Sequence, residues 1–254
     1  MGPFTERDPL VPRDLSRPDH LPNLRPGGRA PHPSWLPRQR KGTTPQMIGR
    51  YPDYDVLASI DEWDAATTQV IQARMDVSLD MAFFRFEEHA TVRRFCNIVM
   101  AQDSEPRVPV AELIDAKLCA GRLDGFQYDD MPDDRDTWHM VVAGLDDVAR
   151  ARHAKSFAEC HVADARRIVS NFAKSQLSGF SWDELNVPRA WSLCQRNILS
   201  AFYSHPWAWN EIGFGGPAYP QGYMRLGPLS TLEPHETRGA TSEDPVRLVM
   251  DSQE

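Results

Sequence analysis

Apolar residues in the middle of this chain recur at intervals of three and four, and few stretches alternate with period two. A helix completes a turn in 3.6 residues, so that repeat lines up one apolar stripe per helix and leaves little material for strands. The spacing predicts helices over Asp61–Met75, Phe86–Met100, Val110–Ala120, Pro132 to about His153, Phe157–Gln176 and Pro188–Tyr203. The fourth buries Trp138, Val141, Val142, Leu145 and Val148, and the last buries Trp191, Leu193, Cys194, Ile198, Leu199 and Phe202. Punctuation agrees with the periodicity. Asp61 can cap the first helix, Pro109 can open the third, Gly121 can stop it, and Gly179 interrupts the fifth. The expected fold class is all-α, a single irregular multi-helix domain with no internal repeat.

Proline sets the limits of that domain. Ten of the 21 prolines fall within residues 1–50. There they remove backbone donors and block helices, among too few apolar residues to offset the entropy of ordering. Residues 1–50 are therefore expected to be an extended or disordered arm, in which Trp35 can dock on the chain's own surface or on a partner. Residues 226–254 form a polar tail containing Pro228, Pro234 and Pro245. The helical domain is expected over 51–225.

Charge narrows the function. The chain carries 28 Lys and Arg against 36 Asp and Glu, a net charge of −8. Residues 1–50 hold nine basic and four acidic residues, so 51–254 hold 19 against 32, a net −13. An acidic body argues against nucleic-acid binding, which needs clustered Lys and Arg. No apolar run approaches the roughly 18 residues of a membrane span. The N-terminus lacks the basic start and apolar core of a secretory signal, so a cytoplasmic location is expected, or a periplasmic one if a signal-bearing partner carries the chain across. The cysteines Cys96, Cys119, Cys160 and Cys194 are at least 23 residues apart. That spacing offers no zinc or redox pair, and buried free thiols are expected. The acidic stretch Asp124–Asp136 lacks the order of a calcium loop; a solvated loop that supplies acids to a helix N-terminus is expected, with a divalent-ion site as the alternative.

One segment departs from the rest. Ser204–Tyr223 holds four Gly, three Pro, two Trp and two Tyr in 20 residues. This composition predicts neither helix nor strand but a rigid aromatic loop that presses against a partner, with Trp207, Trp209, Phe214 and Tyr219 as anchors. His205, Asn210, Glu211, Gly215, Gly216, Pro217 and Tyr223 complete the expected partner-binding set. The glycines follow a helix and lead into prolines, the reverse of a dinucleotide loop. His205 and Asn210 can instead hydrogen-bond the loop into shape. The competing readings are a free-standing helical enzyme using His205 and Glu211 as acid and base, and a scaffold with no redox partner. No catalytic residue and no metal ligand is assigned.

The run Tyr203-Ser204-His205-Pro206-Trp207-Ala208-Trp209-Asn210-Glu211-Ile212-Gly213-Phe214-Gly215-Gly216-Pro217 resembles the C-terminal signature of the gluconate 2-dehydrogenase subunit 3 family. Upstream, Arg50-Tyr51-Pro52-Asp53-Tyr54-Asp55-Val56-Leu57, Phe83-Phe84 with Glu87-Glu88, Val108-Pro109-Val110 and Ile114-Asp115 are also similar to that family. The resemblance covers roughly Tyr51 to Tyr223. It implies a small accessory subunit without catalytic residues or a cofactor of its own. Such a subunit pairs with a large FAD-dependent oxidoreductase of the glucose-methanol-choline type, which oxidises a sugar, sugar acid or glycoside hydroxyl and often passes electrons to a cytochrome c subunit. Several members carry a twin-arginine export signal, and the first 50 residues here do not match one.

Overall fold

A computed structural model describes residues 55–218 apart from 104, 106, 124, 126 and 213, together with Gly222. The expected arm, with Trp35, and the expected tail lie outside the described residues. The described residues are helical, without strands. They form α1 (Ala65–Met75), α2 (His89–Val99), α3 (Val110–Cys119), α4 (Asp134–His153), α5 (Val162–Ala173), α6 (Val187–Tyr203) and α7 (Pro206–Ile212). Short 3-10 turns cover Val56–Glu62, Phe86–Glu88, Phe157–Glu159 and Phe180–Glu184.

The longest helix, α4, runs through the middle of the core, and its Trp138, Val141, Val142 and Leu145 are fully buried. Helices α2, α5 and α6 pack against it, and α3 packs on α2 and α6. A single apolar cluster joins them, including Phe95, Ile114, Ile168, Phe172 and Phe202. The turn Phe180–Glu184 closes one side. The Trp182 indole N–H donates to the Gly144 carbonyl at 3.1 Å. A Cβ on Gly144 would stand 2.6 Å from the Trp182 ring, so only glycine admits this contact.

Several helix ends differ from expectation. Asp64, not Asp61, caps α1, its carboxylate accepting the Thr67 N–H at 2.9 Å. Asp61 instead lies in the 3-10 turn Val56–Glu62, and Trp63 turns extended so that its ring can be buried. The expected helix from Phe157 is broken. Ser156 and Glu159 form a capping box around a 3-10 turn, Cys160 is extended, and α5 starts at Val162. Buried Asp146 holds the break by accepting the Phe157 N–H at 2.9 Å, and Arg94 donates to the carbonyls of Ala158 and Cys160. At its far end α5 stops at Ala173, because Ser175 takes a left-handed φ of 57°. Pro132 precedes α4 rather than opening it, and Asp133 is the cap, accepting the Asp136 N–H at 2.9 Å. Gly121, at φ 64°, ends α3 as expected, with the Arg122 N–H bonded back to the Lys117 carbonyl.

Cys96, Cys160 and Cys194 are buried free thiols, and burial pushes the thiols of Cys96 and Cys194 well above their usual range. Cys119 is exposed, against expectation. It follows Leu118, the last residue of the buried α3 stripe, and the next position on a helix turns away from the core.

Candidate functional site

The unusual segment begins where α6 ends. Ser204 is the C-terminal cap of α6, His205 follows, and Pro206 opens α7. The expectation of neither helix nor strand is therefore corrected for 206–212. Proline is favourable in a first helical turn, where its missing N–H is not needed, and the glycines all come after Ile212. The Phe214 N–H returns to the Trp209 carbonyl at 2.9 Å and folds the glycine run back under the helix.

Each aromatic on this helix has a separate destination. Ala208 is buried in the main core, and half-buried Trp207 packs against it. Trp209 joins a second, smaller cluster with Val56, Trp63 and Ile71. Its indole N–H donates to the Tyr203 carbonyl at 2.6 Å, and its ring meets Phe214 edge-on at 5.4 Å. Asn210 reaches the same N-terminal segment. Its Oδ1 accepts the Val56 N–H at 2.8 Å, and its Nδ2 donates to the Asp55 carboxylate at 3.0 Å. Arg74 of α1 donates to the Ser204 carbonyl at 3.1 Å.

Gly216 completes the joint at φ 93°, and a Cβ there would lie 2.8 Å from Val56 and 3.1 Å from Trp63. The position is closed to other residues by backbone conformation and by contact alike. Together these bonds clasp residues 55–75 onto the end of α6.

His205 is a buried part of this joint, only 2% exposed. Its Nδ1 accepts the Trp207 N–H at 3.2 Å, and its ring stands edge-on to Trp207 at 4.9 Å. Burial pulls its pKa down to about 4, so the imidazole is neutral near pH 7. A neutral ring whose Nδ1 already accepts a backbone N–H holds the loop in shape, as one of the two sequence readings proposed. Asn210, expected to do the same, instead ties the segment to Asp55 and Val56.

Of the other expected partner-binding residues, Phe214 is 43% exposed, and Gly215, Gly216 and Pro217 are half-buried. Glu211 lies in α7. Tyr219 and Tyr223 lie outside the described residues. Ile212, 54% exposed beside Phe214, was missing from the expected set. Also missing from it were Asp55, Val56, Trp63, Ile71 and Arg74, which hold the joint from the N-terminal side. Asp55 and Val56 were signalled by the family-like stretch ending at Leu57, and Trp63, Ile71 and Arg74 by the three-and-four spacing of the first helix, but neither signal tied them to the Ser204–Tyr223 segment.

The acidic loop is tied to α6: Asp130 accepts from Asn186 Nδ2 at 2.9 Å and pairs with Arg189, whose guanidinium lies over the Tyr128 ring. Between this loop and α6 is a hollow of about 290 Å³ with Met131 and Leu193 on its wall. Among the described residues no group of three or more His, Cys, Asp or Glu is placed to hold a metal ion. No described helix is long and apolar enough to cross a membrane.

The family model described as gluconate 2-dehydrogenase subunit 3 matches residues 86–216, from the turn before α2 to the glycine that completes the clasp. No curated protein and no solved structure matches the chain.

Proposed function

The chain belongs to the gluconate 2-dehydrogenase subunit 3 family, and on that premise we propose that it is the non-catalytic small subunit of a dehydrogenase complex. In this reading it binds and stabilises a large FAD-dependent oxidoreductase subunit, which oxidises a sugar, sugar acid or glycoside hydroxyl. FAD, substrate pocket and redox chemistry belong to that partner. A cytochrome c subunit is a suitable onward electron carrier.

The observation that carries the reading is the family match itself, which spans the helical core and ends in the clasp. The chemistry of the clasp is in keeping with it. His205, the residue best suited by type to acid–base work, is buried and engaged with backbone. Ile212, the last residue of a short helix anchored from both sides, and Phe214 just after it stand exposed, as contact residues of a subunit would.

The test is recovery of the tagged full-length chain from its native host, with an absorption spectrum of the eluate. The expected result is a stoichiometric large partner with flavin bands and sugar-oxidising activity that survives His205→Gln. A lone, colourless, monomeric chain would overturn the reading, and so would sugar oxidation by the isolated chain.

A further inference from the structure

The backbone between α1 and α2 has little regular structure, yet it is pinned along its length. Buried Asp115 of α3 accepts three successive N–H groups, from Ala82 at 2.8 Å, Phe83 at 3.0 Å and Phe84 at 2.9 Å. Arg93 of α2 donates to the Leu79 carbonyl at 2.6 Å while pairing with Glu112. Glu88 accepts the Arg85 N–H at 2.8 Å and holds His139 of α4 at 2.9 Å. The loop is thus fastened to three helices through carboxylates that are themselves buried, Glu88, Glu112 and Asp115.

This rigid stretch displays apolar groups to solvent. Phe86 is 88% exposed and Leu79 is 66% exposed. The turn Phe86–Glu88 runs straight into α2. Phe86, Ala90 and Arg93 therefore follow one helical stripe of about two turns, roughly 10 Å long. Arg93 places Leu79 at its far end, and Ala90 between is exposed. Beside this ridge is a hollow of about 290 Å³ between the pinned loop and α3, lined by Val77, Asp80, Ala82, Ala116 and Cys119. Glu112 and Asp115 on its wall are matched by Arg93 and by the three N–H groups, which leaves exposed Asp80 as the charge facing outward.

We infer that the ridge Leu79–Ala90–Phe86 and its neighbouring hollow form a docking surface for the large flavoprotein subunit, with Phe86 as the anchor. This rests on the function proposed above. The partner's matching face is an apolar pocket for Phe86 with a basic group opposite the hollow, because exposed Asp80 presents negative charge there. Since the ridge is already held in place, docking costs little ordering entropy, the condition under which one aromatic can dominate an interface.

The experiment compares tagged full-length wild type, Phe86→Glu, Leu79→Glu and, as a control on another helix, Val162→Glu, each recovered from the native host. Flavoprotein per tagged chain is measured by flavin absorbance, and the thermal midpoint is measured on each free chain. Phe86→Glu is expected to lower co-recovered flavoprotein by about tenfold or more, with Leu79→Glu less severe. Val162→Glu is expected to have no effect, and all midpoints should stay close to wild type because the altered side chains are exposed. Equal recovery with every variant would overturn the docking surface while leaving the subunit reading intact. Absence of flavoprotein from the wild type itself would overturn both. A homodimer broken by Phe86→Glu would show that a second copy covers the ridge, and loss of the ridge's hydrogen-exchange protection on deleting residues 1–54 would show that the chain's own arm does. Either result overturns the flavoprotein as occupant.

Discussion

Two apolar clusters hold the described residues together, and they are built on different scales. The main core joins α2 to α6, with α4 buried at its centre. The N-terminal joint has four buried side chains, Val56, Trp63, Ile71 and Trp209. It depends on polar fastening for the rest, through Asn210 on Asp55 and Val56 and through Arg74 on Ser204. A region with few buried contacts opens more easily than the core it rests on. The difference bears on the signature segment. Side chains that look, by type, like a partner's hot spot are largely engaged within the chain, and they make α7 the link between a stable body and a weaker clasp.

Three experiments break or sharpen that contrast. The largest effect is expected in the main core. Trp182→Ala removes a fully buried indole and its bond to Gly144, and should cost about 4 kcal/mol, seen as a lower midpoint in one global unfolding transition. If only the N-terminal segment loosened, the ranking of the two clusters would be wrong.

Acid should act next, and through the link. His205 titrates at about 4 when folded against 6.5 when free, because burial disfavours its charged form. The unfolded chain therefore takes up the proton first. The contribution is fully present above pH 6.5 and is lost as pH falls from 6.5 to about 4. Over that window the loss is on the order of 3 kcal/mol. Chemical denaturation of wild type and His205→Gln across the same range checks this, since the difference between their slopes isolates the histidine. Parallel pH profiles would remove His205 as the cause.

The smallest effect belongs to the clasp. Gly216→Ala puts a Cβ against Val56 at a φ of 93° and should cost about 2 kcal/mol. Hydrogen exchange should speed up over residues 55–75 while the centre of α4 keeps its protection. Equal loss in both regions would mean that clasp and core unfold as one unit.

Helix periodicity made most of the body legible in advance. The stripes on α4 and α6 depend only on local spacing, and most of the residues they place inside are buried. On α2 the spacing misleads, because Phe86 and Ala90, which it puts in the apolar set, are exposed, and Thr91, Val92 and Cys96 are buried beside Phe95 instead. Helix ends were harder to read, because neighbouring Asp residues compete as caps. Asp64 prevailed over Asp61 once burial of Trp63 required extended backbone between them. The break at Cys160 depends on Asp146 and Arg94, which lie on other helices, so no local pattern could announce it. The candidate site divides in the same way. The composition of Ser204–Tyr223 marked it as special and the family resemblance gave it a class, but neither could say whether Trp209 faces outward or inward.

Residue order alone thus decided where most of the helices lie, which faces α4 and α6 bury and to which family the chain belongs, because stripe and motif act between residues near in sequence. Tertiary structure decided where the signature's side chains go. Asn210 meets Val56 across 154 positions, Asp115 gathers a loop more than 30 residues away, and Phe86 is left exposed on a rigid support. Those outcomes depend on distant groups competing for the same donors and the same space, and that competition takes place only once the helices are packed.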